Sequence, residues 1–221
     1  DAIDNLTTEA ANGARRLLLQ APTGSGKTII SSKIIKHATS NGKRVLFLAH
    51  RRELVFQCID KLDKLDIESG MIMSGDEWDP TRLVNVASVQ TLHSWCVRRK
   101  RANFPKADLI VIDEAHHLPS SRTWQDILIN YPEALVLGMT ATPISSTGKG
   151  LGHYFDVMVK CPTIQQLTND KFLVPIKYFV PSLPDLKKVK IQAGDYVVSQ
   201  LEQRMIVPKL IGDICENWSR I

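Results

Sequence analysis

The chain has 221 residues, 43% of them hydrophobic, which allows one substantial buried core and an appendage. A net charge of +5 suits a polyanionic partner without requiring one. Four scattered cysteines (Cys58, Cys96, Cys161, Cys215) include no CxxC pair, and no apolar run reaches the ~18 residues of a membrane span; a disulfide framework, zinc-ligand spacing and a spanning helix are thereby excluded, no signal-peptide pattern is seen, and reduced thiols in a cytoplasmic protein are expected.

Ile3, Leu6 and Ala10 predict an opening helix that closes near Asn12-Gly13. The apolar run Arg16-Leu17-Leu18-Leu19-Gln20-Ala21 predicts a buried strand, and a helical pattern runs over residues 27–39 to Asn41-Gly42. Between them stands Ala21-Pro22-Thr23-Gly24-Ser25-Gly26-Lys27-Thr28. Strand, glycine-rich turn and helix form the context that a phosphate-binding loop requires. Gly24 and Gly26 let the backbone turn tightly, so that N–H groups converge on phosphate oxygens at a helix start. Lys27 is placed to reach the β- and γ-phosphates, and the Thr28 hydroxyl to ligate Mg²⁺. The strict pattern has glycine where this chain has Ala21.

A strand at 44–49 leads into a helix over 52–65 with an apolar stripe of Leu54, Val55, Cys58, Ile59, Leu62 and Leu65. Short strands are expected near 69–73 and 82–87 around the loop Ser74–Pro80, then a helix at 89–97 and a strand at 108–112. Asp113-Glu114 follows that last strand directly. Carboxylates at the C-terminal end of a parallel strand sit where open α/β sheets bind ligands. Asp113 is the candidate magnesium ligand and Glu114 the candidate general base for water. A helix near 122–130 and a strand at 134–139 complete an alternation of strand and helix. It predicts an α/β fold, a mostly parallel sheet with helices on both faces. Beyond Pro143 come a flexible polar loop at 145–150, a short helix at 163–169, a strand at 176–180 and an apolar helical stripe over 195–219.

Five strings in register resemble the first RecA-like, P-loop NTPase domain of superfamily 2 helicases of the DEAH type. Ala21–Thr28 is similar to motif I and Phe47–Leu54 to motif Ia. Ala87–Leu92 is similar to motif Ib, Val111–His116 to motif II and Gly138–Pro143 to motif III. The texture, with Gly150–Asp156 and Leu173–Pro175, resembles the DNA-directed branch of type III restriction subunits, repair translocases and their phage relatives. The resemblance implies ATP and Mg²⁺ as cofactors, with Lys27, Asp113, Glu114 and His116 in the chemistry. It implies a nucleic-acid partner, DNA from the branch, whose sugar-phosphate backbone would meet Arg52, Ser88, Gln90 and Thr91. It implies coupling of His116 to Thr140 or Thr142, and a motif III strand between those of motifs I and II.

Residues 1–160 are expected to form the ATP-binding domain and 161–221 a connection towards a second RecA-like domain. The arginine-bearing Q-x-x-G-R-x-x-R string and an upstream Arg-Pro-Tyr-Gln-like segment are not found, so a fragment of a longer protein is expected. The implied activity is ATP-driven movement on DNA, as helicase or translocase; the alternative is a nucleotide-switched binding module of a restriction or repair complex, without strand separation. Restriction or repair complex subunits are the protein partners that the resemblance implies. Arg98-Arg99-Lys100-Arg101 reads as a solvated loop or as part of a nucleic-acid path, and Trp78, Trp95 and Trp124 as packing residues. His117 is given no role.

Overall fold

The computed structural model describes residues 2–75, 78, 79, 81–145, 148–176, 186, 187, 189–192, 195, 196 and 198–205. Two compact units divide the chain, Asp1–Leu173 and Val174–Ile221.

In the first unit seven parallel strands form one sheet. They are β1 (Arg16–Gln20), β2 (Val45–Ala49), β3 (Ser69–Ile72), β4 (Val84–Ser88), β5 (Leu109–Asp113), β6 (Leu135–Thr140) and β7 (Val157–Lys160). Their spatial order is β3-β4-β2-β5-β6-β1-β7. The motif III strand β6 therefore lies between β1 and β5, as the resemblance implied. Helices are α1 (Ala2–Ala11), α2 (Lys27–Ser40), α3 (Arg52–Asp63), α4 (Val89–His93), α5 (Arg122–Leu128) and α6 (Ile164–Asn169).

The central strands are apolar throughout because both faces of a parallel sheet are covered. Successive side chains point to opposite faces, which splits the core in two. Leu17, Leu19, Phe47, Val86, Val111 and Leu137 pack with Leu6, Ile35, Val55 and Leu62 of α1–α3. Leu18, Leu46, Leu48, Ile110, Ile112 and Val136 pack with Leu92, Trp124 and Ile127 of α4 and α5.

Several expectations change. The helix expected over 89–97 is α for five residues and then a π turn over Ser94–Arg98, with the Arg99 N–H donating to Ser94 O at 2.9 Å. Strand β7 was not expected. It is four residues long with only Val159 buried, too short for periodicity to reveal. The polar loop after Pro143 closes on itself. Ile144 bridges Gly150, and the Ser145 N–H donates to Lys149 O at 2.8 Å. Trp124 is core, and Trp78 donates its indole N–H to Asn85 Oδ1 at 2.9 Å. Arg98, Arg99, Lys100 and Arg101 are all exposed.

In the second unit the described residues form a two-stranded antiparallel hairpin, β8 (Ile191–Gln192) and β9 (Asp195–Tyr196), and a helix α7 (Val198–Met205). The hairpin was not expected, since two-residue strands carry no pattern. The expected strand at 176–180 and the helix beyond 205 lie outside the described residues, apart from Ile176. Among the described residues no helix is long and apolar enough to cross a membrane. Cys58, Cys96 and Cys161 are free thiols.

Gly138, in the middle of β6, is the most closely packed of the described glycines. A methyl group there would overlap the Phe155 ring and come within 2.9 Å of Ala115 Cβ. Gly138→Ala is expected to destabilise the first unit by about 1–3 kcal/mol through overpacking. Urea unfolding measures it, and Phe155→Leu in the same chain should recover part of the loss. An unchanged midpoint would contradict the packing.

Candidate nucleotide site

All seven strands run the same way, so their carboxyl ends share one edge of the sheet, and the site is built there. Register holds the ends level. Gln20 pairs with Thr140, and Asp113 with Met139. The Ala21 N–H donates to Thr140 O at 2.9 Å, which ties the loop after β1 to the end of β6.

The loop from Pro22 to Gly26 reverses the chain into α2. The Ser25 N–H and hydroxyl both bond to Pro22 O, at 3.1 and 2.7 Å. Gly24 and Gly26 take left-handed φ of 82° and 85°, conformations that a side chain would strain. The first turn of α2 is fixed by Ser31 and Ser32, whose hydroxyls donate to Thr28 O at 2.9 and 2.8 Å.

Asp113 ends β5, and Glu114 follows it at φ 50° and ψ 53°. A left-handed non-glycine residue costs on the order of 1–3 kcal/mol and is kept only where its surroundings fix it. Here that backbone turn opens a 3₁₀ turn over Ala115–Ser120 and lets Glu114 face two partners. Lys27 Nζ lies 3.3 Å from Glu114 Oε1, and His116 Nδ1 lies 3.3 Å from Glu114 Oε2. His116 Nδ1 is also 3.0 Å from the Thr140 hydroxyl. Thr140, fully buried, in turn donates to Thr142 O at 3.0 Å and accepts the Thr142 N–H at 3.1 Å. The phosphate-loop lysine, both motif II carboxylates, His116 and the two threonines are thus brought together.

Thr23, Gly24, Gly26, Lys27, Thr28, Asp113 and Glu114 border a cleft of about 470 Å³. Burial, and next the charge of Glu114, raise the Asp113 carboxyl above its usual range. A carboxylate so placed gains from a cation. The donor set suits magnesium, which takes one or two carboxylates and leaves its other positions to phosphate and water. Burial pushes the Cys58 thiol up to about 12, so it stays protonated. Gln57, Cys58 and Lys61 of α3 line the same cleft and were not assigned to it from the sequence, where Cys58 is only part of an apolar stripe. Their three- and four-residue spacing puts them on one face of α3, a signal that could have found them. Leu173 was also missed. Its Cδ2 stands 3.0 Å from where a side chain on Gly24 would begin.

The four nucleic-acid candidates lie along the same edge, at and just after the ends of β2 and β4: Arg52 opens α3, Ser88 ends β4, and Gln90 and Thr91 are on α4. Ala49 pairs with Ser88, so these strand ends are also level. The Ser88 hydroxyl donates to Gln90 Oε1 at 3.0 Å, and Gln90 Nε2 donates to His50 O at 3.1 Å. Thr91 is only 8% exposed. Arg52 opens α3 in solvent, with its guanidinium 5.4 Å from the centre of the Phe56 ring.

Residues 1–145 match the model of the family described as type III restriction enzyme, res subunit. The chain belongs to this family. Its fold is that of the first RecA-like domain of superfamily 2 helicases, in the restriction and repair branch. This res-subunit family member is 32% identical, over 91% of its length, to a 51.5 kDa protein of a Lactococcus phage (isolate 7-9). It is 34% identical over 78% of its length to the type I restriction enzyme EcoAI endonuclease subunit of Escherichia coli. It is 30% identical over 93% to IRC3 of Saccharomyces cerevisiae, provisionally named an ATP-dependent helicase. The chain spans 40%, 22% and 32% of those proteins respectively. A solved structure, a nuclease-deletion mutant of the type ISP restriction-modification enzyme LlaGI in complex with a DNA substrate mimic, has the same fold. It aligns with a TM-score of 0.58 at 19% identity, covering 76% of this chain and 20% of that one.

Proposed function

We propose that this chain is the ATP-binding motor domain of a cytoplasmic protein that couples ATP hydrolysis to movement on DNA. The observation that carries the reading is the meeting of Lys27, Glu114, His116 and Thr140 at the carboxyl edge of the sheet, beside Asp113 and a glycine-rich loop. A nucleoside triphosphate is the ligand that uses all of them.

In this account the backbone N–H groups from Thr23 to Thr28 hold the phosphates at the start of α2. Lys27 exchanges Glu114 Oε1 for the β- and γ-phosphate oxygens. That exchange frees Glu114 Oε1 to take a proton from the attacking water as it meets the γ-phosphorus in line. Thr28 and Asp113 would hold Mg²⁺, which when bound would neutralise charge developing on the phosphates. His116 keeps Glu114 Oε2 and the Thr140 hydroxyl together. The loop after β6 thereby responds when Glu114 changes partner. A longer protein supplies the second RecA-like domain that completes the site, with restriction or repair subunits as its partners.

DNA is the partner favoured by the names of the relatives, a restriction endonuclease subunit and a restriction enzyme bound to a DNA mimic. Arg52, Ser88, Gln90 and Thr91 would meet its backbone from the ends of β2 and β4. Arg52→Glu is expected to weaken DNA binding about equally across sequences and to lower the salt slope by about one unit. Anisotropy titrations over a salt series measure both. A loss confined to certain sequences, or no loss, would contradict a backbone contact.

A further inference from the structure

Two histidines outside the catalytic set join the nucleotide site to the strand ends proposed to meet DNA. His50 follows β2, and His117 lies in the 3₁₀ turn after β5. These strands are neighbours, with Leu48 paired to Ile112. The two rings stand 4.2 Å apart between centroids, tilted by 54°. His117 is in turn 4.1 Å from the ring of His116, tilted by 44°. Contacts then run in both directions. His116 reaches Glu114 and Thr140, and through Glu114 reaches Lys27. The His50 carbonyl accepts from Gln90, whose side-chain oxygen accepts from Ser88. These contacts together link Lys27 on α2 with Ser88 at the end of β4.

The pair carries two marks of a positioned element. Burial lowers the pKa of both imidazoles, and the neighbouring imidazole lowers each further, His117 for His50 and His116 for His117. Neutral rings can lie in contact without mutual repulsion. His50 Nδ1 is buried without a hydrogen-bond partner. That atom has a hydrogen bond to offer when a partner comes within reach.

We propose that His50 and His117 are positioning residues that transmit the state of the nucleotide site to the DNA-facing ends of β2 and β4. When Glu114 releases Lys27, His116 shifts. The rings in contact carry that shift to the His50 backbone and so to Gln90 and Ser88. The inference rests on the reading above, that the protein hydrolyses ATP in response to DNA.

The test is steady-state ATP hydrolysis by the full-length protein with and without linear duplex DNA. His117→Ala and His50→Ala should each lower the ratio of DNA-stimulated to DNA-free kcat by about fivefold or more, the lower end of ordinary coupling between sites. DNA-free kcat and KM for ATP should stay unchanged in both. The double variant should lose no more than the stronger single one, because both remove one contact. His117→Phe keeps a ring and should keep most of the stimulation. His50→Ala, after a different strand, carries the test if His117→Ala does not fold. An unchanged ratio, a DNA-free kcat that falls in step, independent losses in the double variant, or a His117→Phe as impaired as His117→Ala would each overturn the proposal. Wild-type protein that DNA does not stimulate would instead overturn the proposed function, before any variant is made.

Discussion

Lys27→Ala in the full-length protein is expected to abolish detectable ATP turnover. Lys27 Nζ is the cation that the phosphate loop itself carries, and in this structure it rests on Glu114 Oε1 at 3.3 Å. Removing it takes away the charge that stabilises the β- and γ-phosphates. It also leaves Glu114 beside Asp113 with no lysine in contact, so two carboxylates face the incoming phosphates. Loss of one preorganised electrostatic contact of this kind costs on the order of 10²-fold or more in rate. The residue lies at the rim of a cleft and outside both hydrophobic clusters, so the fold should survive. Phosphate release at saturating ATP, with DNA present, is the measurement. Activity within a few-fold of wild type would remove Lys27 from the site.

Glu114→Gln separates binding from chemistry. The amide keeps the shape of the side chain and can still meet His116, but it cannot take a proton from water. Turnover should fall by about 10²–10⁴-fold, the usual worth of a positioned general base. ATP should bind as well as before or more tightly, since one negative charge near the phosphates is gone and Lys27 no longer has to leave an ion pair. Equilibrium binding of a fluorescent ATP analogue, set beside single-turnover hydrolysis, distinguishes the two effects. Binding that falls in proportion to turnover would make Glu114 a binding residue.

Much of this site was legible because it is local. Leu17-Leu18-Leu19, Val45–Ala49 and Leu109–Ile112 are continuous apolar runs, the mark of strands buried on both faces. Gly24, Gly26, Lys27 and Thr28 lie within one turn, and Asp113-Glu114 directly ends a strand. Chain neighbours cannot hide such arrangements. The contact of His116 with Thr140 was anticipated from the motif resemblance alone, since nothing in the periodicity brings those residues together. What stayed hidden depends on strand order and on side-chain reach. His50 meets His117 only because β2 and β5 are adjacent. Leu173 reaches Gly24 only because the segment after β7 returns to the phosphate loop, and β7 itself is too short to announce. The left-handed Glu114 also escapes a sequence reading, because glutamate has no preference for that conformation.

Movement on DNA, the centre of this account, is most directly tested by how ATP consumption depends on track length. Full-length protein is given saturating ATP and saturating linear duplexes of graded length, and steady-state phosphate release is measured per molecule. A motor takes more steps per encounter on a longer track before it meets an end. The account therefore predicts that DNA-stimulated kcat rises with duplex length, and that Lys27→Ala removes the stimulation at every length. A nucleotide-switched binding module spends a fixed amount of ATP per encounter, so stimulation that is independent of length, or absent, would contradict the account.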